Sequence, residues 1–422
     1  MYMKKIPLIF FVLVFIPKIF CQPKVNVTDS TIDACLEEYL DSLSPLEAVS
    51  QIFLVNIQGN KEYNAVEWTS DGKPLVPGGA LFFAYNLGDT IEETIDFVSS
   101  IEKYCNDNYL LRPYLAVDQE GGYVNRLRSI SSTLPSAEKV SENLSPLEAK
   151  KLYSIQARQM KAIGFDMNLA PVAESLNDDN RDFLDTRSYG DIPHSIAYTL
   201  AAVDAYQTNG INAVLKHFPG NTSVDPHTGL PEIHYDEKKV YFEFMLPFYF
   251  ILSSNPSCVL MSHARVPSVD SSPACLSRVW VTEKLKGQLA FDGLVISDDI
   301  FMAALADNGF PPEKAALEAI EAGVHVIMLS EKVFGDVAEN LLRQAEKDKS
   351  FKEKLRNAEK KVLEYKLKSG ILKVEMKDGK LKVMQASMEE QLGKKEKRIL
   401  EFNNAKEEGV EFHKKYFLQG RK

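Results

Sequence analysis

Eight short apolar runs, each followed by a longer amphipathic stretch, predict an α/β chain folded as a (β/α)8 barrel. The runs are FLVNI (53–57), ALFFA (80–84), YLAVD (114–118), MNLAPV (167–172), NAVLKHF (212–218), SCVLMSH (257–263), GLVIS (293–297) and VHVIML (324–329). They are rich in Val, Leu and Ile and apolar on both faces, as parallel strands covered by helices are. A further observation is that polar and charged residues gather just past the ends of these runs, which a barrel would bring to one rim. Eight βα units also allow a doubly wound open sheet, but the chain carries no GxGxxG fingerprint to favour it.

Taken in chain order, the first segment is MYMKKIPLIFFVLVFIPKIFCQ. Lys4 and Lys5 precede an apolar run from Ile6 to Pro17 that is short for a membrane span and has the layout of a secretory signal. Residues 1–21 are therefore read as a signal peptide or N-terminal anchor, and the protein as exported: periplasmic or membrane-anchored, with Cys21 as a lipid attachment point in one variant of this reading. Cys35, Cys105, Cys258 and Cys275 have no CxxC spacing and give no metal signature, and any disulfide pairing among them stays open.

Residues 30–370 form the expected barrel domain. The helical stretches between its runs include DTIEETIDFVSSIEKY (89–104) and SPLEAKKLYSIQARQMKAIG (145–164). The same SPLEA opens helices at Ser44 and Ser145, with Ser as N-cap, Pro at the first helical position and Glu at the third. At the strand ends stand Asp118 with QEGG following, Lys216 and His217, His263, and Asp298 with Asp299. Each has an ordinary structural reading. One of the two Asp residues is expected to cap the helix beginning DIFMAALA, His263 could simply hold a strand end, and Gly121 and Gly122 could serve a turn. Together, on one rim, they point to a site. The remainder, 371–422, is charge-rich, with KDGKLK, KKEKR and KEEG, and is expected to be a largely solvated helical extension.

A net charge of −10 argues against a nucleic-acid partner, because phosphate binding needs a basic face and no long basic patch precedes the C-terminal tail.

The motifs VDQEGG (117–122), LAPVAE (169–174), DTRSYGD (185–191), KHFPG (216–220) with DPH (225–227), and FDGLVISDD (291–299) resemble those of glycoside hydrolase family 3, in particular its β-N-acetylglucosaminidase branch. The resemblance covers roughly residues 40–335 and implies a (β/α)8 barrel. It also implies a retaining exo-β-N-acetylglucosaminidase acting on peptidoglycan- or chitin-derived saccharides. Asp298 would be the nucleophile, His227 the acid/base and Asp225 its partner. Asp118, Arg126, Arg187, Lys216, His217 and His263 would grip the non-reducing sugar. No metal and no cofactor are called for. The expected partner is a small saccharide or muropeptide, with membrane association only through the N-terminus and the chain acting as a monomer. A phosphorylase, a β-glucosidase and a non-catalytic sugar-binding barrel are the alternatives. The sequence departs from the pattern where NTSV follows KHFPG, with a shorter insert before Asp225, and at Tyr123, where an Arg is common.

Overall fold

Each of the eight predicted runs contributes a strand to one parallel sheet. The computed structural model describes residues 29–65, 67–68, 72–226 and 228–418. The strands are β1 (Phe53–Asn56), β2 (Gly79–Phe82), β3 (Tyr114–Val117), β4 (Met167–Asn168), β5 (Asn212–Phe218), β6 (Cys258–Met261), β7 (Leu294–Ile296) and β8 (Ile327–Leu329). They are hydrogen-bonded in the order 7-6-5-4-3-2-1-8, and a parallel bridge between Ile296 and Val326 closes the ring. Almost every residue of these strands is buried, which is the reason their sequences lack alternation. β4 is short because Pro171 has no N–H to give the ladder, although the Ala170 and Pro171 carbonyls still accept from Val214 and Lys216 of β5 and a bridge joins Val172 to Lys216.

The helices start where their caps dictate. Ser44 and Ser145 each form the expected capping box, with Glu47 and Glu148, ahead of helices Pro45–Ser50 and Pro146–Ile163. Thr90 and Glu93 do the same for Ile91–Asp107. The expected cap on the strand-seven side is not formed. The helix there is a single turn, Ala303–Ala306, with Met302 at its N-cap and no side-chain bond. The Asp298 and Asp299 carboxylates instead each use one oxygen, Oδ1, to accept the backbone N–H groups of Asp299 and Phe301 in the loop before the turn begins.

The C-terminal segment also differs from expectation. The expected helix is there, at Lys395–His413, but the segment opens with an antiparallel hairpin, β9 (Leu372–Lys377) and β10 (Lys380–Gln385). Asp378 and Gly379 at its tip both have positive φ, 53° and 76°, as a two-residue type I′ turn requires. Leu372 and Val383 join Leu36, Leu40, Leu111 and Leu363 in a small core with the first helix, Asp29–Ser42, on the N-terminal side of the barrel. The last long helix, Lys395–His413, packs along Pro146–Ile163, burying Phe402 and Ala405. Arg398, 4% exposed, donates to the carbonyls of Ala162 and Ile163 and so satisfies the end of that neighbouring helix. Charge density on the outer face had concealed this inner stripe.

Candidate active site

The C-terminal ends of β3, β5 and β7 converge with the loops after β3 and β4. The QEGG stretch after Asp118 makes a miniature hairpin, Gln119–Gly121 against Val124–Asn125. Gly121 turns at φ 108° with Pro135 O only 2.1 Å from where a Cβ would sit, so no other residue fits there. The hairpin directs Glu120 inward. Its carboxylate receives two parallel bonds from Arg187, Nε and Nη2 each at 2.8 Å, and lies 2.5 Å from Lys216 Nζ. Lys216 Nζ is also 2.7 Å from Asp118 Oδ1, and Arg126 stands 3.5 Å from Asp118 Oδ2. The result is one chain of alternating charge: Arg126, Asp118, Lys216, Glu120, Arg187.

Opposing effects act on Glu120, Lys216 and Arg187. Burial works to raise the Glu120 pKa, but Arg187 and Lys216 outweigh it and hold the carboxyl well below the usual range. Burial alone would likewise lower Lys216 and Arg187, yet their acidic neighbours keep both above their ordinary values. Glu120, Lys216 and Arg187 are therefore all ionised at neutral pH. They present fixed donors and acceptors of the kind that hydroxyl groups can bridge.

His217, the next residue along β5, is placed by a second carboxylate. Glu174, fully buried, accepts from His217 Nδ1 at 2.7 Å, the His217 backbone N–H at 3.2 Å, and Asn221 through its backbone at 2.6 Å and its side chain at 3.1 Å. Asn221 Oδ1 in turn accepts from the Ser262 hydroxyl at 2.7 Å. Nδ1 facing a carboxylate carries the proton, so Nε2 is the nitrogen not committed to Glu174. Glu174 thus fastens β5, the loop behind KHFPG and, through Asn221, the end of β6.

At the end of β7, Asp298 Oδ1 accepts the Asp299 N–H at 2.9 Å. Burial pushes its pKa up, but His263, His217, the Asp299 N–H and Lys216 together hold it below the ordinary aspartate value. That mutual influence brings Asp298, Lys216, His217 and His263 into a single electrostatic neighbourhood. His263 is completely buried, with Nε2 3.1 Å from the Asp299 carbonyl and Nδ1 3.3 Å from Cys275 Sγ. It backs the loop that carries Asp298.

Asp225 lies on an exposed loop whose backbone is turned by bonds from Thr228 and Gly229 N–H to its carbonyl, at 2.9 and 3.0 Å. The Pro226 carbonyl accepts from Ala304 N–H at 3.3 Å, which ties this loop to the segment just after Asp298. His227 lies outside the described residues. A cavity of about 630 Å³ flanks the loop, lined among others by Thr222, Ser223, Leu230, Asp179, Arg265 and Asn308.

Glu120 and Glu174 were not assigned roles by sequence reasoning, although both stand in motifs that it singled out. A carboxylate two residues past Asp118, hence on the same side of an extended segment, was the available signal for Glu120. For Glu174 no local signal exists, because its partners lie more than forty residues away.

Residues 47–365, well over half of the chain, match the Glycosyl hydrolase family 3 N terminal domain. The chain belongs to glycosyl hydrolase family 3. Among curated relatives of this family 3 chain, the β-hexosaminidase A of Pseudoalteromonas piscicida is 29% identical over 280 residues, covering 60% of this chain and 45% of that protein. The β-hexosaminidase of Pseudomonas aeruginosa is 32% identical over 232 residues, covering 54% and 67%. Among solved structures, the β-N-acetylglucosaminidase from Thermotoga maritima superposes with a TM-score of 0.62 at 26% identity, covering 75% of this chain and 66% of that one. The chain thus spans from under half to about two thirds of these relatives.

Proposed function

We propose that this family 3 chain is a retaining exo-β-N-acetylglucosaminidase that removes terminal β-linked N-acetylglucosamine from small peptidoglycan- or chitin-derived saccharides. The observation that carries the reading is Asp298. Its carboxylate sits at the end of β7, held ionised by His263, His217 and Lys216, beside a buried polar network able to grip a sugar ring. In the first step the Asp298 carboxylate attacks the anomeric carbon while the bond to the departing oxygen breaks, and His227, oriented by Asp225, gives that oxygen its proton. In the second step His227 takes a proton from water, which attacks the same carbon and releases Asp298. The covalent glycosyl-aspartate and the two inversions retain the configuration. Asp118, Arg126, Arg187, Lys216 and His217 would hold the sugar hydroxyls, with Glu120 and Glu174 keeping the cations and the imidazole in place. The cavity beyond the Asp225 loop is our assignment for the leaving-group side.

The names of the relatives support this activity, and the motif resemblance supports the roles. We place the enzyme outside the cytoplasm, delivered by residues 1–21, with a monomeric barrel. Among the described residues no helix is long and apolar enough to cross a membrane. The test is a pair of chromogenic substrates, the β-N-acetylglucosaminide and the β-glucoside, assayed with and without phosphate. Release of free N-acetylglucosamine from the first alone is expected. Preference for the glucoside, a sugar phosphate product, or binding without turnover would each replace the proposal with one of its alternatives.

A further inference from the structure

Gly409 stands inside the last long helix, Lys395–His413, where glycine weakens a helix and alanine would favour it. It is buried, and a Cβ placed there would come within 2.6 Å of Ser132 Cβ and closer still to the Ser132 hydroxyl oxygen. The helix therefore rests its backbone directly on Ser132, itself buried, in the loop that returns from the QEGG hairpin. Two buried glutamines of helix Pro146–Ile163 fasten the same residue. Gln156 Nε2 donates to the Ser132 carbonyl at 3.1 Å and to its Oγ at 3.0 Å. Gln159 Nε2 donates to that Oγ at 2.8 Å, and Gln159 Oε1 accepts the Ser132 N–H at 2.8 Å.

From Ser132 the loop runs straight onto the hairpin of the candidate site. The Leu134 carbonyl accepts the Gly122 N–H at 3.0 Å, the Pro135 carbonyl closes on Gly121, and Ser136 lies against Gly122, 2.8 Å from where its Cβ would be. At the other end of the hairpin the Leu127 N–H is held by Gln119 Oε1 at 3.1 Å. Glu120 and Arg126 are carried between these fixed points. We propose that Gly409 is a positioning residue for the sugar-binding rim. The C-terminal helix, outside the family-matched residues 47–365, seats Ser132 on its two glutamines and, through Leu134 and Pro135, sets the hairpin that aims Glu120 at Arg187 and Lys216. This rests on the reading of that rim as the grip on the non-reducing sugar. Asp298 is carried by β7 on a loop with bonds of its own, so the contact governs sugar binding and not bond cleavage.

The experiment compares the full-length wild type, Gly409→Ala and the double variant Ser132→Gly/Gly409→Ala by residue-resolved amide hydrogen exchange and by kinetics on the chromogenic β-N-acetylglucosaminide. In Gly409→Ala the Gly122 and Leu127 amides should exchange faster, while the Asn221 amide, held by Glu174, keeps its wild-type rate. A misplacement of 1 Å can cost about 10²-fold, so the smaller shift here should raise KM about tenfold, with kcat per folded molecule unchanged. A merely structural role would instead lower the folded fraction and leave KM alone. The double variant removes the atoms in the way and should lose less than Gly409→Ala, whereas an equal loss would place the defect in the helix and overturn the inference. Unchanged exchange at Gly122 and Leu127, or faster exchange there with KM unmoved, would overturn it too. If the wild type turns over no β-N-acetylglucosaminide, the functional reading fails, and the exchange rates still decide whether Gly409 acts on the hairpin.

Discussion

Replacing Glu120 by Gln changes almost no volume but removes one negative charge from the centre of the buried network. Arg187 then loses its bidentate carboxylate and Lys216 keeps only Asp118. The amide can still accept one bond, while its NH2 group faces cations. Breaking a buried pair by removing one partner costs about 3–5 kcal/mol, and one surviving bond puts Glu120→Gln near the lower end. The pH dependence follows from the direction of the shift. The folded pKa of Glu120 is depressed, so its contribution is fully present above the ordinary carboxylate value of 4.5 and fades as pH falls from there toward the folded value. Urea unfolding of wild type and variant at pH 7 and at pH 4 measures both features. A gap of about 3 kcal/mol at pH 7 that narrows at pH 4 is expected. A gap under 1 kcal/mol, or one that widens in acid, would refute the charge-network account of the rim.

Three further outcomes follow from other parts of the molecule. Because Asp298 is held below the ordinary value of 3.8, the acidic limb of kcat/KM that reports the nucleophile should lie below that value, and a limb above it contradicts the assigned environment. Glu174→Gln should set an NH2 group against the N–H donors of Asn221 and His217, costing about 1–3 kcal/mol in denaturant unfolding and reducing kcat, whereas unchanged stability and rate would show that the loop is held by other means. Arg398→Ala should leave the Ala162 and Ile163 carbonyls without their donor and lower stability by about 1–3 kcal/mol, an effect that a merely solvated C-terminal helix would not show in thermal unfolding.

The barrel was legible because a strand buried on both faces must be apolar along its whole length, and eight such runs with capped helices between them leave few architectures. The same signal located the rim, since Asp118, Lys216, His217 and Asp298 interrupt or end those runs. What local sequence could not convey was partnership. Glu120 reads as an acidic residue in a turn until Arg187 and Lys216 are folded against it, and Glu174 reads as a strand-end carboxylate until His217 and Asn221 surround it. The hairpin was a different failure. Asp378–Gly379 between alternating residues is a strong turn signal, but it was overshadowed by the lysines that β9 and β10 turn outward. Lys395–His413 is the helix expected there, but its packed face was hidden for the same reason, with Phe402 and Ala405 a narrow apolar stripe among many charges.

The central claim is that Asp298 forms a covalent bond to the sugar, and trapping that bond tests it most directly. A β-N-acetylglucosaminide analogue with an activated leaving group and a slowed second step would be incubated with the protein, digested and mapped by mass spectrometry. The account predicts one equivalent of label on Asp298 and none in Asp298→Asn. A label on Asp299 or Glu120, or turnover of the analogue with no covalent adduct at any time, would contradict it.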